Sequence, residues 1–237
     1  MQPMGLGSMD AGATDAGSMD AGSMDAGATD AGAAGAPLVL ASGSQWRRGL
    51  LDAAGIPAEA LAPDVDEDAI QHADPVELAR LRAAAKAESV AALRPGCWVV
   101  GADQVVHLDG VARGKPRDAD DWRRGLASLR GRVHQLSTAV TLIGPDGGAE
   151  HFVEHSEVRF RSDLSDADLE AYIALGEAKG CAGGYMVEGR GAWLVESVDG
   201  DWTNVVGLPI FALIGRLRAR GWRLGAGGRA AAGGLGG

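Results

Sequence analysis

LVLASGSQWRR, at residues 38–48, is the most informative stretch of this chain. Its apolar start stops at Ser42-Gly43-Ser44, and two arginines, Arg47 and Arg48, follow closely. This order predicts a strand, a tight turn and the first turn of a helix. Backbone N–H groups at a helix start and guanidinium groups both favour an anion. The stretch therefore predicts an anion site, and the neighbouring Trp46 needs a separate explanation.

Two low-complexity segments flank the part of the chain that can form a core. Residues 7–31 repeat the pentapeptides GSMDA and GATDA without an aromatic or branched aliphatic residue. Such a segment cannot bury enough apolar surface to offset its chain entropy, so we expect residues 1–36 to be a disordered acidic tail. It lacks the basic start and apolar centre of a signal peptide. The Gly/Ala-rich residues 223–237 predict a second disordered tail, which leaves 37–222 as one domain.

Charge and composition narrow the classes of function. The formal net charge of the 237 residues is -10, which argues against a broad nucleic-acid surface. No apolar run approaches the length of a membrane span. Cys97 and Cys181 lie far apart without metal-type spacing, so they are interpreted as buried free thiols. We therefore expect a cytoplasmic protein that binds a small molecule, with neither a nucleic acid nor a membrane as its partner.

Apolar periodicity and turn residues predict an α/β fold with a mixed central sheet flanked by helices. Asp74-Pro75 predicts a helix start, and Leu78, Leu81 and Ala85 would share one face of that helix. A valine-rich strand at 97–107 is predicted to be interrupted at residues 101–104. The predicted strands are 37–41, 97–107, 133–143, 152–160 and 192–198, and the predicted helices are 45–54, 74–93, 118–129, 164–175 and 204–220.

Two acidic residues are candidates for chemistry. Asp103 lies within the valine-rich strand, where a carboxylate is costly unless it is paired, hydrogen-bonded or bound to a metal. It therefore either ends a strand in a cleft or belongs to a structural hydrogen-bond network. Glu67 ends the acidic segment Asp64-Val65-Asp66-Glu67, and acidic turn residues are commonly solvated.

The candidate basic residues also have structural interpretations. Lys115 lies in Gly114-Lys115-Pro116, which is not a phosphate-binding loop of the Walker type because proline replaces the required serine or threonine. Lys86 lies in an alanine-rich helix, where its aliphatic stem could simply cover apolar surface. His151 and His155 have helical metal-ligand spacing but fall in a predicted strand, so they are weak metal candidates.

Taken together, two carboxylates, two lysines and arginines at a helix start suit attack of water on a phosphoryl group, assisted by a divalent cation. Oxygen ligands favour Mg²⁺ or Mn²⁺. No serine or cysteine nucleophile with a partnering histidine and aspartate stands out in the sequence.

Seven segments, spread in order over nearly all of residues 37–222, make the chain resemble the Maf family. The resemblance implies a Maf/inosine-triphosphatase-like fold with an active-site cleft between two lobes. It also implies pyrophosphatase activity on nucleoside triphosphates with a divalent cation, and a homodimer is an expectation from the family. The segments are ASGSQWRRGLL (41–51), VDE (65–67), GADQVV (101–106), GKPRD (114–118), LRGRVHQLSTAV (129–140), CAGGYMVEGRG (181–191) and NVVGLP (204–209).

The resemblance also implies roles for individual residues. Asp103 would accept a proton from the attacking water, and Glu67 and Asp103 would hold the metal. The triphosphate would be contacted by Ser44, Arg47 and Lys115, with help from Lys86.

Three further positions resemble those of the subgroup that acts on 7-methyl-GTP, namely Trp46, Gln104 and Glu188. An indole face can hold a methylated, cationic base, and a carboxylate can accept from guanine N–H groups. The alternatives are the same chemistry on dTTP and UTP, or a nucleotide-binding regulator of cell division. Packing of Trp46 on the sheet and solvation of Glu188 are the structural alternatives for those two residues.

Overall fold

The computed structural model describes residues 35–224. Six strands of a seven-stranded sheet have the order β2-β1-β3-β5-β6-β7. The seventh strand, β4, pairs with β3 on the same side as β1 but farther along β3. Strand β1 is parallel to β2 and β3, and the remaining pairings are antiparallel, so the sheet is mixed as expected. The strands are β1 Leu38–Ala41, β2 Ala58–Ala60, β3 Trp98–Leu108, β4 Val111–Arg113, β5 Val133–Ile143, β6 Ala149–Phe160 and β7 Val195–Asp199.

Six helices accompany the sheet within the described residues. Five of them begin at side chains that accept backbone N–H groups, which are Ser44, Asp74, Asp118, Ser165 and Asp201. Two 3₁₀ turns, Ala182–Gly184 and Arg190–Trp193, are also present, and the second covers the start of the strand predicted at 192–198. The helices are α1 Gln45–Ala53, α2 Pro75–Ala91, α3 Ala119–Leu129, α4 Asp166–Leu175, α5 Trp202–Val206 and α6 Ile210–Ala219.

The long strand β3 is continuous, so the predicted interruption at residues 101–104 was wrong. Strand β5 pairs with β3 from Val99 to His107 without a break. On the other side of β3, β1 ends opposite Gly101, and the pairing with the antiparallel β4 covers only Val106 to Leu108. Residues 102–105 therefore form a gap in the pairing on that side, and the polar segment faces this gap instead of ending the strand.

Helix α2 lies against the sheet on a face that the sequence did not predict. Its buried residues include Ala79, Ala83 and Ala87, whereas Leu81 is 46% exposed and Leu78 is half-buried. The cause is a close approach to Gly101. A Cβ there would lie 2.6 Å from the backbone nitrogen of Ala87. Only small residues fit between backbones this close, so the leucine face is turned away from the sheet.

The helix predicted at residues 204–220 is two helices. Helix α5 ends at Val206, before Gly207, whose φ of 131° is in a region that other residues rarely adopt, and α6 begins after Pro209. Proline cannot donate the backbone hydrogen bond that a continuous helix needs at that position. The break places the carbonyl of Gly207 beside α1.

Two hydrophobic clusters lie on either side of the gap in the sheet and form the two lobes. One cluster joins α1 and α6 to the β1 end of the sheet, and the other joins α3 and α4 to the ends of β3 and β6. In residues 35–224, no helix has the length and apolar character needed to cross a bilayer. Most of the predicted tails, residues 1–34 and 225–237, lie outside the described part.

Candidate functional site

A cavity of about 1000 Å³ opens at the gap between the two lobes. Its walls include the turn after β1, the end of α5, the β4–α3 loop and the residues 180–182 and 185–188. All nine residues singled out in the sequence line this cavity. They are Ser44, Trp46, Arg47, Glu67, Lys86, Asp103, Gln104, Lys115 and Glu188.

At the bottom of the cavity, Lys86 lies between two carboxylates. Its Nζ is 2.7 Å from Oδ1 of Asp103 and 3.0 Å from Oε2 of Glu67. Lys86 and Asp103 are 5% and 7% exposed, whereas Glu67 lies on a turn at the cavity mouth. Asp103 reaches α2 because alternate residues of β3, starting with Gly101, face that helix. Asp103 therefore does not end a strand. It lies in the middle of β3 and belongs to an ion-pair network that lines the cleft.

Each of these carboxylates uses one oxygen on Lys86. Oδ2 of Asp103 and Oε1 of Glu67 have no protein partner in the described part of the chain. No cluster of three or more histidine, cysteine, aspartate or glutamate residues within 35–224 could hold a metal. A divalent cation at this site would thus take two carboxylates from the protein and its remaining ligands from phosphate oxygens and water, a ligand set that suits Mg²⁺.

Arg47 joins three parts of the site. Its Nη1 donates to the carbonyl of Ala102 at 2.9 Å, in the gap where β3 lacks a strand partner. Its Nε donates to the carbonyl of Gly207 at 2.9 Å. Burial lowers the pKa of Arg47, while Asp103 and Glu67 act in the opposite direction. An arginine remains protonated at neutral pH under such a change, so the guanidinium is a cation of the cavity wall, and its Nη2 has no partner in residues 35–224.

Ser44 fixes the backbone of Arg47, at the opposite end of the residue from its guanidinium group. Its hydroxyl oxygen accepts the backbone N–H of Arg47 at 3.4 Å, which makes Ser44 the N-cap of α1. Its own N–H donates to the hydroxyl of Ser42 at 3.2 Å. The strand, turn and helix predicted from residues 38–48 are therefore present, with the cap at the cavity wall.

The three residues at the predicted base-recognition positions differ in their surroundings. Trp46 is 40% exposed on α1 and lines the cavity rather than packing on the sheet. Glu188 is partly buried, and burial, followed by the charge of Glu177, raises its pKa. Gln104 uses its amide nitrogen internally, because Nε2 donates to the carbonyl of Asn204 at 2.6 Å and to Oγ1 of Thr138 at 3.1 Å. Gln104 thus fastens α5 to the sheet as well as lining the cavity.

Sequence reasoning missed two arginines of the cavity wall. Arg82, one turn before Lys86 on α2, donates to the carbonyl of Ile70 at 3.3 Å and so ties the Glu67 turn to the helix. Arg113, at the end of β4, has a buried Nε without a hydrogen-bond partner in the described residues. The spacing of Arg82 from Lys86 was a usable signal, since residues four apart share a helix face. Nothing local marks Arg113.

Other candidates lie outside the site. His151 and His155 have ring nitrogens near hydroxyls of the neighbouring strand, 2.9 Å from Thr141 and 2.8 Å from Ser137. The cavity lining does not include either residue. Cys97 and Cys181 are free but only half-buried, so the expectation that both are buried was wrong.

The chain is similar to known proteins over most of its length. The family described as Maf-like protein matches residues 37–220. A dTTP/UTP pyrophosphatase of Nitratidesulfovibrio vulgaris is 43% identical over 190 residues, covering 79% of this chain and 90% of that protein. A 7-methyl-GTP pyrophosphatase of Xanthomonas campestris pv. campestris is 40% identical over 188 residues, covering 79% and 97%. A solved dITP/XTP pyrophosphatase from Mycobacterium abscessus is 16% identical with a TM-score of 0.36, covering 54% and 76%.

Proposed function

This chain belongs to the Maf family, and on this premise we propose that it is a nucleoside triphosphate pyrophosphatase, a hydrolase acting on an acid anhydride. It would cleave between the α- and β-phosphates and yield a nucleoside monophosphate and pyrophosphate. The observation that carries the proposal is the pairing of Asp103 and Glu67 with Lys86 inside a cleft that Arg47 and Lys115 also line. Hydrolysis of a polyphosphate needs carboxylates that can activate water and bind a metal ion, and cations that can bind phosphate oxygens. Both kinds of group line this cleft.

In the proposed reaction, Asp103 is the general base. Water attacks the α-phosphorus, its proton passes to the free Oδ2 of Asp103, and the bond from the α-phosphorus to the bridging oxygen breaks. The electron pair of that bond leaves with pyrophosphate. Lys86, at 2.7 Å, holds the carboxylate in place, and Arg47 and Lys115 offset the negative charge that develops on the phosphate oxygens.

Glu67 and Asp103 would hold a divalent cation together, Glu67 directly through its free Oε1 and Asp103 through the bound water whose proton its Oδ2 accepts. Such an ion would polarise the phosphate oxygens and lower the pKa of a bound water. Lys86 already offsets part of the negative charge of the two carboxylates, so the protein brings a weakly charged ligand pair. The phosphates of the substrate would supply the remaining negative charge, which makes metal binding and substrate binding interdependent.

For the base we propose 7-methylguanine, so that 7-methyl-GTP is the substrate and 7-methyl-GMP the product. Removal of this nucleotide would clear modified guanine from the nucleotide pool. The exposed indole of Trp46 at the cavity wall offers a face for a cationic ring, an interaction of roughly 0.5–2 kcal/mol. Glu188, whose pKa is raised by burial, gains stabilisation in its ionised form when a cation lies nearby. A methylated, positively charged base satisfies both residues.

A second candidate is hydrolysis of dTTP and UTP. The relative from Nitratidesulfovibrio vulgaris carries that name at 43% identity. In addition, the amide nitrogen of Gln104 is used by Asn204 and Thr138, which weakens the case for Gln104 as a reader of the base.

The experiment is pyrophosphate release over a panel of 7-methyl-GTP, GTP, dTTP, UTP and dITP, each with Mg²⁺, with Mn²⁺ and with chelator. We expect metal-dependent release with the highest kcat/KM for 7-methyl-GTP. Faster cleavage of UTP than of 7-methyl-GTP would reverse the choice of base and keep the enzyme class. Binding without release from any nucleotide would contradict the enzyme class and favour a regulator.

A further inference from the structure

A second cavity, of about 450 Å³, lies behind the loop that carries Lys115. Strand β4, residues 114–117 and helix α3 form its walls. Arg113, Gly114 and Lys115 line both this cavity and the large cleft, so one short segment separates the two spaces. An anion could pass from one to the other while staying next to the same two cations.

Positive charge dominates the lining of this second cavity, although the whole chain carries a net charge of -10. Four basic side chains, Arg113, Lys115, Arg117 and Arg124, line it with only one acid, Asp121.

The ion pairs among the lining residues neutralise only part of this positive charge. Asp121 binds Arg117 closely, with Nη2 at 2.9 Å from Oδ1, and reaches Nη2 of Arg124 at 3.5 Å. Arg113 and Lys115 have no ion pair among residues 35–224. The cavity therefore keeps an excess of positive charge.

The shape and chemistry of the lining select an inorganic anion over a nucleotide. Trp122 is the aromatic residue of the lining, but it is only 6% exposed and its indole N–H donates to the carbonyl of Gly184 at 2.6 Å. No open ring face remains there on which a base could stack. Guanidinium groups in a polar recess instead match the geometry of phosphate oxygens.

We propose that this second cavity binds inorganic pyrophosphate after it leaves the large cleft. The identity of the anion rests on the proposed function, because that reaction produces pyrophosphate beside Lys115. Arg113 and Lys115 belong to the segment between the two cavities and bind the anion as it moves from one to the other. Arg124 binds it in the second cavity. Bound pyrophosphate would thereby be removed from the reacting carboxylates while the nucleoside monophosphate still occupies the cleft.

The test is calorimetric titration of pyrophosphate into protein saturated with an α,β-methylene triphosphate analogue, so that the cleft is already filled. Orthophosphate is titrated in a parallel arm. Arg124→Glu changes a residue that lines only the second cavity. Arg218→Glu is the matched control, because it reverses the charge of an exposed arginine on α6 that lines neither cavity.

We expect one pyrophosphate to bind the filled protein, more tightly than orthophosphate. Arg124→Glu should weaken it at least about fivefold, since the nearby charge is reversed, and Arg218→Glu should leave it unchanged. Absence of binding to the filled protein, or equal weakening by both variants, would overturn the inference. Binding does not require turnover, so a protein that hydrolyses nucleotides but shows no second site contradicts this inference alone.

Discussion

Nζ of Lys86 lies 2.7 Å from Oδ1 of Asp103, and both side chains are almost completely buried. A buried charge is stable only when it is paired and hydrogen-bonded. Glu67, on the opposite side of the ammonium, is half exposed and reaches Lys86 from a turn. The cluster therefore has a fixed inner pair and an outer acid that a ligand can approach.

Asp103→Asn should abolish turnover and keep nucleotide binding. The amide retains the shape of the side chain and cannot accept the proton of water, so we expect kcat to fall by at least about 100-fold. Lys86 keeps Glu67 as its partner in this variant. Pyrophosphate release and calorimetric binding of the nucleotide measure the two properties. Near-normal turnover would remove Asp103 from the mechanism.

The companion variant Lys86→Met separates structural from chemical effects. It leaves the buried carboxylate of Asp103 without its cation, which should cost roughly 3–5 kcal/mol of stability. The double variant Lys86→Met with Asp103→Asn should recover part of that loss. If both Lys86 variants unfolded at the same urea concentration as the wild type, the ion pair would not contribute to stability.

Gly101→Ala should destabilise the protein and reduce activity together. The added Cβ would lie 2.6 Å from the backbone nitrogen of Ala87, so helix α2 has to move and takes Lys86 with it. We expect a loss of roughly 1–3 kcal/mol, as for other overpacked sites. Gly125→Ala on α3 is the control, because its Cβ would meet nothing within 4 Å. Alanine in that helix should stabilise by about 0.5–1 kcal/mol, and urea unfolding compares the two variants.

Trp46→Ala should lower activity on 7-methyl-GTP selectively. Loss of the ring face should reduce kcat/KM for this substrate about 2- to 30-fold, while the value for GTP changes less because its base is uncharged. Trp193→Ala, at a tryptophan that is 82% exposed and does not line the cleft, should change neither value. An equal decrease for both nucleotides would show that Trp46 does not select a cationic base.

Acid should destabilise the fold through His134. Burial, with a smaller contribution from His107, lowers the pKa of His134 to about 4. Between about pH 6.5 and 4 the unfolded chain binds a proton at this site and the folded chain does not. The free energy of unfolding should therefore fall by up to about 3 kcal/mol as the pH decreases through this range. Urea unfolding at several pH values measures the slope.

His134→Leu should flatten that slope, although it also removes the hydrogen bond between Nε2 and the hydroxyl of Tyr185. It is therefore expected to be less stable than the wild type at pH 7. An unchanged slope in His134→Leu would assign the acid sensitivity to other groups.

Local patterns in the sequence predicted many of the elements. Strand β5 has the predicted limits, and the helix starts at Asp74 and Ser165 follow from capping side chains. The prediction of the apolar face of α2 was wrong because the spacing of leucines within the helix gives no information about Gly101 on the neighbouring strand β3. The break between α5 and α6 was visible as Gly207 and Pro209, but the continuous apolar pattern outweighed it.

The sequence by itself determined the local turns and caps and the choice of residues with chemistry, including the strand, turn and helix at 38–48. These depend on steric and hydrogen-bond preferences within a few neighbouring residues. Only the tertiary structure decided that Lys86 lies between Glu67 and Asp103, that Gln104 binds the carbonyl of Asn204, and that Arg113 faces two cavities. The physical reason is that these contacts join distant residues, so they depend on how closely α2 approaches the sheet and on where β1 ends.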